Sequence, residues 1–141
     1  MSVDYDQLAK QYRTYRNPDP RLAKRIHFHI QGAGRVLNVG AGMGSYEPEG
    51  CEIVAVEPSH EMIARRKNSK ATLIRGYAED LPFRDNDFDI SMGILTMHHW
   101  SNIVLGLQEM IRVSKDKIVL LTWIGYGEEF WLFDYIPEIM G

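Results

Sequence analysis

Cysteine is nearly absent from this 141-residue chain. Cys51 stands alone, which excludes an internal disulfide and suits a reducing cytoplasm. Long apolar runs are absent too. No stretch approaches the roughly 18 apolar residues of a membrane span, and the opening MSVDYDQLAK has no apolar signal core. Positive charge is in short supply: 16 Lys and Arg against 19 Asp and Glu leave a net charge of −3, so no basic surface recommends a nucleic-acid partner. Repeats, low-complexity tracts and Ser/Gly linkers are missing. These absences predict one soluble, cytoplasmic domain over 1–141, with 45% apolar residues to build its core.

What is present is concentrated between residues 36 and 57. An apolar strand carrying Val36, Leu37 and Val39 runs into Gly40, Gly42 and Gly44. A second, carrying Ile53, Val54, Ala55 and Val56, ends on Glu57, 17 residues after Gly40. Glycines at alternate positions after a buried strand let the backbone turn sharply and lie flat against a ligand. A carboxylate at the tip of the next strand is placed to accept both hydroxyls of a ribose. The spacing is G-x-G-x-G, with Ser45 where a dinucleotide fingerprint has its third glycine. From Ser45 to Gly50 there is room for about one helical turn, with Glu47 and Glu49 but no cation. A pyrophosphate would be repelled there, whereas a neutral ribose beside a sulfonium would not. S-adenosylmethionine is favoured over NAD.

The remaining periodicities alternate between helix and strand. Tyr5, Leu8, Ala9 and Tyr12 share a helical face. Asp19 caps and Pro20 starts a second helix with Leu22, Ala23, Ile26 and Ile30 inward, and Gly32 and Gly34 end it. Strands are predicted at 36–39, about 52–56, 71–75, 88–93 and 117–123. The last is apolar throughout and reads as buried on both faces. Ser59 caps a helix over 60–67 whose cluster Arg65, Arg66 and Lys67 reads as a solvated, dipole-stabilised end. Ser101 opens another helix with Val104, Leu107 and Ile111 on one face, and 128–140 reads as an aromatic-rich helix. Strands separated by helices imply a doubly wound, mostly parallel sheet that binds ligands at the carboxyl ends of its strands.

Four segments carry a resemblance: VLNVGAGMGSYE at 36–47, IVAVEPSHEMIARR at 53–66, GYAEDLPFRDNDFDIS at 76–91 and GILTMHHW at 93–100. Together the chain resembles the class I S-adenosylmethionine-dependent methyltransferases, in particular the small-molecule group with the ubiquinone-biosynthesis-type enzymes. The resemblance implies a Rossmann-like core over 35–141 with strand order 3-2-1-4-5, behind a helical cap at 1–31. It implies that Gly40, Ala41 and Gly42 line the methionine and ribose of the cofactor, and that Glu57 holds the ribose diol. Pro58 and Ser59 are expected at the adenine edge, Ala78 and Glu79 along the adenine, and Gly93 facing the methionine amino group. Tyr12, with Tyr15 and Arg16, is a candidate lid.

The sequence departs from the family in three places. Asn38 stands where an acid often precedes the first glycine; it keeps hydrogen bonding but supplies no charge. Tyr77 replaces an aspartate that would take the adenine amine. The chain stops at Gly141, before the family's usual last two strands. A shortened protein is the expectation, with the strand at 117–123 left as an edge that a homo-oligomer would cover.

Competing readings stand beside these. The three glycines also suit a plain strand-to-loop turn. His98 and His99, with an imidazole pKa near 6.5, are candidates for the base that deprotonates an acceptor, or form a pocket wall. As metal ligands they lack a cysteine or carboxylate at useful spacing, so no metal site is expected. Phe130, Trp131, Phe133, Tyr135 and Ile136 either border a substrate or pack on the sheet or another subunit. The sequence therefore predicts methyl transfer from S-adenosylmethionine to a small-molecule acceptor, with no nucleic acid and no membrane. The alternatives are a catalytically silent cofactor-binding or assembly protein and, more weakly, a nicotinamide-dependent oxidoreductase.

Overall fold

The computed structural model describes residues 18–66 and 69–122. The helices read at 5–12 and 128–140, with Tyr12, Tyr15, Arg16, Lys67 and Trp123, lie outside the described residues.

Helix α1, Pro20–Ile30, begins as its sequence predicts: Asp19 accepts the Arg21 amide proton at 2.9 Å and Pro20 occupies the first turn. Its buried Ile26 and Ile30 pack on Val36, Ile90 and Met92, which form one face of the sheet. The glycine-rich connection is tied to this helix. The Tyr46 hydroxyl accepts the Asp19 amide proton at 3.0 Å, and the Tyr46 carbonyl meets His27 Nε2 at 3.1 Å.

The sheet consists of β1 (Arg35–Val39), β2 (Glu52–Glu57), β3 (Thr72–Arg75), β4 (Phe88–Ile94) and β5 (Ser114–Leu121), in the order β3-β2-β1-β4-β5. Every pairing is parallel, as predicted. Between β2 and β3 lies α2 (His60–Arg65), and between β4 and β5 come a 3-10 turn (Met97–His99) and α3 (Ile103–Val113). The second face of the sheet buries Leu37, Val39, Val54, Val56 and Phe88 against Met110 and Val113 of α3. Removing a large buried side chain from such a face costs about 3–5 kcal/mol.

Three expectations require correction. The inward face of α3 is Ile103, Gly106, Leu107, Met110 and Val113. Of the predicted set only Leu107 points in; Val104 and Ile111 are 50% and 61% exposed. The cap is Asn102, not Ser101, and it accepts the Leu105 amide proton at 3.1 Å. The helix carries two overlapping apolar stripes, and the one through Ile103, Leu107 and Met110 is the one that meets the sheet. Strand β5 begins at Ser114, directly after α3, and its apolar residues are only half-buried. β5 pairs with β4 alone among the described strands, the outer place that the order 3-2-1-4-5 gave it, and only the expectation of burial on both faces fails. Helix α2 ends at Arg65, two residues short of the prediction.

Arg112, in the last turn of α3, ties that helix to the chain entering β4. It donates to the carbonyls of Phe83 and Leu81 and pairs with Asp85 and Glu109. The guanidinium holds the Glu109 carboxyl below its usual range.

Candidate functional site

The carboxyl ends of β1, β2 and β4 converge on the glycine turn. Gly40, Gly42 and Gly44 all have positive φ, at 65°, 53° and 76°. Gly40 is the most constrained. Its amide and that of Ala41 both donate to the Val56 carbonyl, and a Cβ there would lie 2.8 Å from Thr96 Cβ. Thus Thr96, just past β4, packs on the turn that ends β1. Gly42 is open instead, with nothing within 4 Å of where its Cβ would be. That open side is the approach the sequence predicted for a ligand.

Glu57 closes the turn. Its Oε2 accepts the Gly42 amide proton at 2.6 Å and its Oε1 accepts that of Ser59 at 3.1 Å. It is 6% exposed, and burial pushes its pKa up, partly offset by the Gly42 and Ser59 amides and by the charge of Arg66. A carboxylate has about four lone-pair sites, so two remain for hydroxyl donors. A buried carboxylate beside backbone with no side chain in the way fits the ribose of an adenosyl cofactor.

The other predicted residues gather around this centre. Pro58 gives its carbonyl to Arg75 Nε at 3.2 Å, and Ser59 caps α2 through Met62. Ala78 is buried against α3, where a Cβ on Gly106 would lie 3.3 Å away. The Glu79 carboxylate accepts from Ser101 Oγ and the Asn102 amide, both at 3.2 Å, and so holds the segment leading into α3. Gly93 lies within β4 opposite Leu120; a Cβ there would come 3.2 Å from that side chain. His98 and His99 form the 3-10 turn that follows Thr96, with ring centroids 3.9 Å apart. Leu95, between β4 and Thr96, takes a positive φ of 53°, a strained backbone for a leucine. Tyr77 is more than half exposed. Among the described residues no cluster of three or more metal-ligating side chains occurs.

Two residues that sequence reasoning did not place in the site, Glu47 and Arg66, lie beside the glycine turn and the predicted Asn38. Asn38, 3% exposed, donates from Nδ2 to Glu47 Oε2 at 2.7 Å. Glu47 Oε1 in turn pairs with Arg66 Nη2. Arg66 was expected on a solvated helix end. Its side chain is instead 3% exposed, because the short connection from Ser45 to Cys51 contains no helix and leaves room for the guanidinium to lie against Gly44. The signal was available in part: an acidic connection with no cation of its own calls for one from elsewhere.

A methyltransferase-domain family model matches residues 32–121, more than half of the chain and the whole of the site just described. The chain belongs to the class I S-adenosylmethionine-dependent methyltransferase family. S-adenosylmethionine is thus the cofactor of its fold, and the nicotinamide reading falls. The chain is 34% identical over 106 residues to the uncharacterized methyltransferase YcgJ of Bacillus subtilis, covering 67% of this chain and 42% of that protein. It is 33% identical over 111 residues to the ubiquinone/menaquinone biosynthesis C-methyltransferase UbiE of a Geobacter species, covering 67% and 47%. A solved Anabaena variabilis structure, named for a methyltransferase from an antibiotic biosynthesis pathway, superposes with a TM-score of 0.72 at 34% identity. That superposition covers 88% of this chain and 54% of the other. The chain spans about half or less of the length of the curated relatives it matches.

Proposed function

We propose that this chain transfers the methyl group of S-adenosylmethionine to a small-molecule acceptor. The observation that carries the reading is the Glu57 bond to the Gly42 amide, which sets a buried carboxylate against an open glycine turn. When bound, the cofactor supplies a methyl already activated on a sulfonium. The protein's task is then orientation, which can supply most of the acceleration. Glu57 fixes the ribose, and the backbone of Gly40, Ala41 and Gly42 lets the ligand lie close. Thr96, His98 and His99 bring the exit of β4 alongside. In this reading His98 or His99 takes the acceptor's proton, supported by their place directly after Thr96. Asn38, Pro58, Ala78, Glu79 and Gly93 are proposed cofactor contacts, as is Tyr12, and the acceptor class follows the likeness to UbiE.

A second copy of the chain is proposed along β5, supported by the edge position and half-buried apolar residues of that strand. No helix among the described residues is long and apolar enough to cross a membrane. A reducing, cytoplasmic setting is proposed from the single Cys51, which leaves no partner for an internal disulfide. The test is methyl-labelled S-adenosylmethionine with a panel of small acceptors, including quinols. Labelled acceptor and S-adenosylhomocysteine together support the reading. Tight cofactor binding with no consumption by any acceptor favours the silent alternative, and no binding by folded protein contradicts both.

A further inference from the structure

The span from Leu95 to Trp100, which carries both histidines from β4 toward α3, is held at each end. Leu95 donates its amide proton to the Leu121 carbonyl of β5 at 2.7 Å and takes its positive φ of 53° there. That left-handed step turns the chain at the end of β4, and the Thr96 side chain comes to rest on Gly40. A Cβ on Gly40 would lie 2.8 Å from Thr96 Cβ and 2.9 Å from its Cγ2, so nothing separates the two residues. At the far end Trp100 lies on Gly106 of α3, where a Cβ would be 2.8 Å from its Cζ3. Between these anchors Met97 is fully buried, and the amides of His99 and Trp100 donate to the carbonyls of Thr96 and Met97 at 2.9 and 3.1 Å. His98 and His99 ride on a span with little freedom of its own.

Thr96 stands at the cap position of the 3-10 turn, yet its hydroxyl does not cap it. Its side chain instead fills one side of the glycine turn, at Gly40, while the other side, at Gly42, stays open. Close-packed atoms pass a displacement on and do not absorb it. We propose that Thr96 is a positioning residue that sets His98 and His99 against the glycine turn, so that a ligand settling on the open side of the turn fixes where the two imidazoles stand. The inference rests on the S-adenosylmethionine reading above and deepens it. Thr96 needs no opening of its own. It acts through the Gly40 backbone on one side and through the 3-10 turn on the other, and the shape of its side chain carries the effect.

The experiment reads the imidazoles by NMR, with the protein labelled at its histidine ring carbons and the signals assigned from His98→Gln and His99→Gln. S-adenosylhomocysteine is titrated into the wild type, Thr96→Val and Thr96→Ala, with calorimetry giving the affinity and circular dichroism the fold. Binding should shift both signals in the wild type and in Thr96→Val, because valine keeps the shape of threonine. In Thr96→Ala the affinity should stay within about threefold while the shifts fall to about half or less, since the contact that carries them is cut. Shifts of full size in Thr96→Ala would mean that the ligand reaches the histidines without Thr96, and would overturn the proposal. Loss of the shifts in Thr96→Val, or their absence from a wild type that binds, would overturn it as well. If Thr96→Ala does not fold, Thr96→Ser decides, since it removes only Cγ2 from the contact: reduced shifts support the proposal and unchanged shifts overturn it. A folded wild type with no affinity for S-adenosylhomocysteine refutes the adenosyl reading itself, and the inference with it.

Discussion

Two carboxylates in this molecule do the same chemistry at opposite ends of one sheet. At the carboxyl end, Glu57 accepts the amide protons of Gly42 and Ser59. At the amino end, Asp89 accepts those of Gly34 and Arg35, both at 2.9 Å. Their titrations move in opposite directions. The two amides draw the Asp89 pKa down, with help from Lys115, whereas burial drives the Glu57 pKa up despite its two amides. The amino end is tied off further by ion pairs, Arg35 meeting Asp87 at 2.6 Å and Glu52 at 3.4 Å. One end is a part-exposed carboxylate among ion pairs. The other holds a costly buried charge with acceptor capacity to spare. A fold keeps such a charge where a ligand recovers the cost.

The most damaging change to the ligand end is Gly40→Ala. It forces a side chain into a positive φ and onto Thr96, for a combined loss of about 3 kcal/mol of stability, read by urea denaturation. A loss under about 1 kcal/mol would mean that the turn relaxes freely. Next comes Glu57→Gln, which should weaken S-adenosylhomocysteine binding at least tenfold, about 1.4 kcal/mol, in calorimetry. The fold should tolerate it, because a buried charge is removed.

Asp89→Asn is the counterpart at the amino end. Lowered in the fold, the Asp89 carboxyl contributes stability above its unfolded pKa and loses it as pH falls through the folded value. The variant should therefore melt lower at neutral pH, show a flatter acid limb and bind S-adenosylhomocysteine as the wild type does. Weakened binding would show that the two ends are coupled. The smallest effect belongs to Ile111→Ser on the outer face of α3, within about 0.5 kcal/mol. A larger loss in the thermal melt would mean that this face is covered in solution.

The strands and the meeting of Glu57 with the glycine turn were legible because each rests on a local rule, whereas the strand order came with the family resemblance. Apolar runs marked the strands, and glycines with a carboxylate at fixed spacing marked the ligand end. The face of α3 was misread because the helix is apolar on two overlapping stripes, and spacing alone does not say which one the sheet covers. Burial of β5 was misread because its apolar composition was read as burial on both faces although the strand order already put it at the outside. Arg66 was hidden for a different reason. A basic residue at a helix end is ordinarily solvated, and only the short connection after β1 gives this one somewhere to bury.

The most direct test of the buried Glu57 as the ribose anchor is the pH dependence of S-adenosylhomocysteine affinity, measured by calorimetry on wild type and Glu57→Gln. Raised in the fold, Glu57 takes up its proton at a higher pH than an ordinary glutamate, so wild-type affinity should fall as pH drops through that raised value. Glu57→Gln should bind weakly with no such inflection. Superimposable profiles for the two proteins would contradict the account.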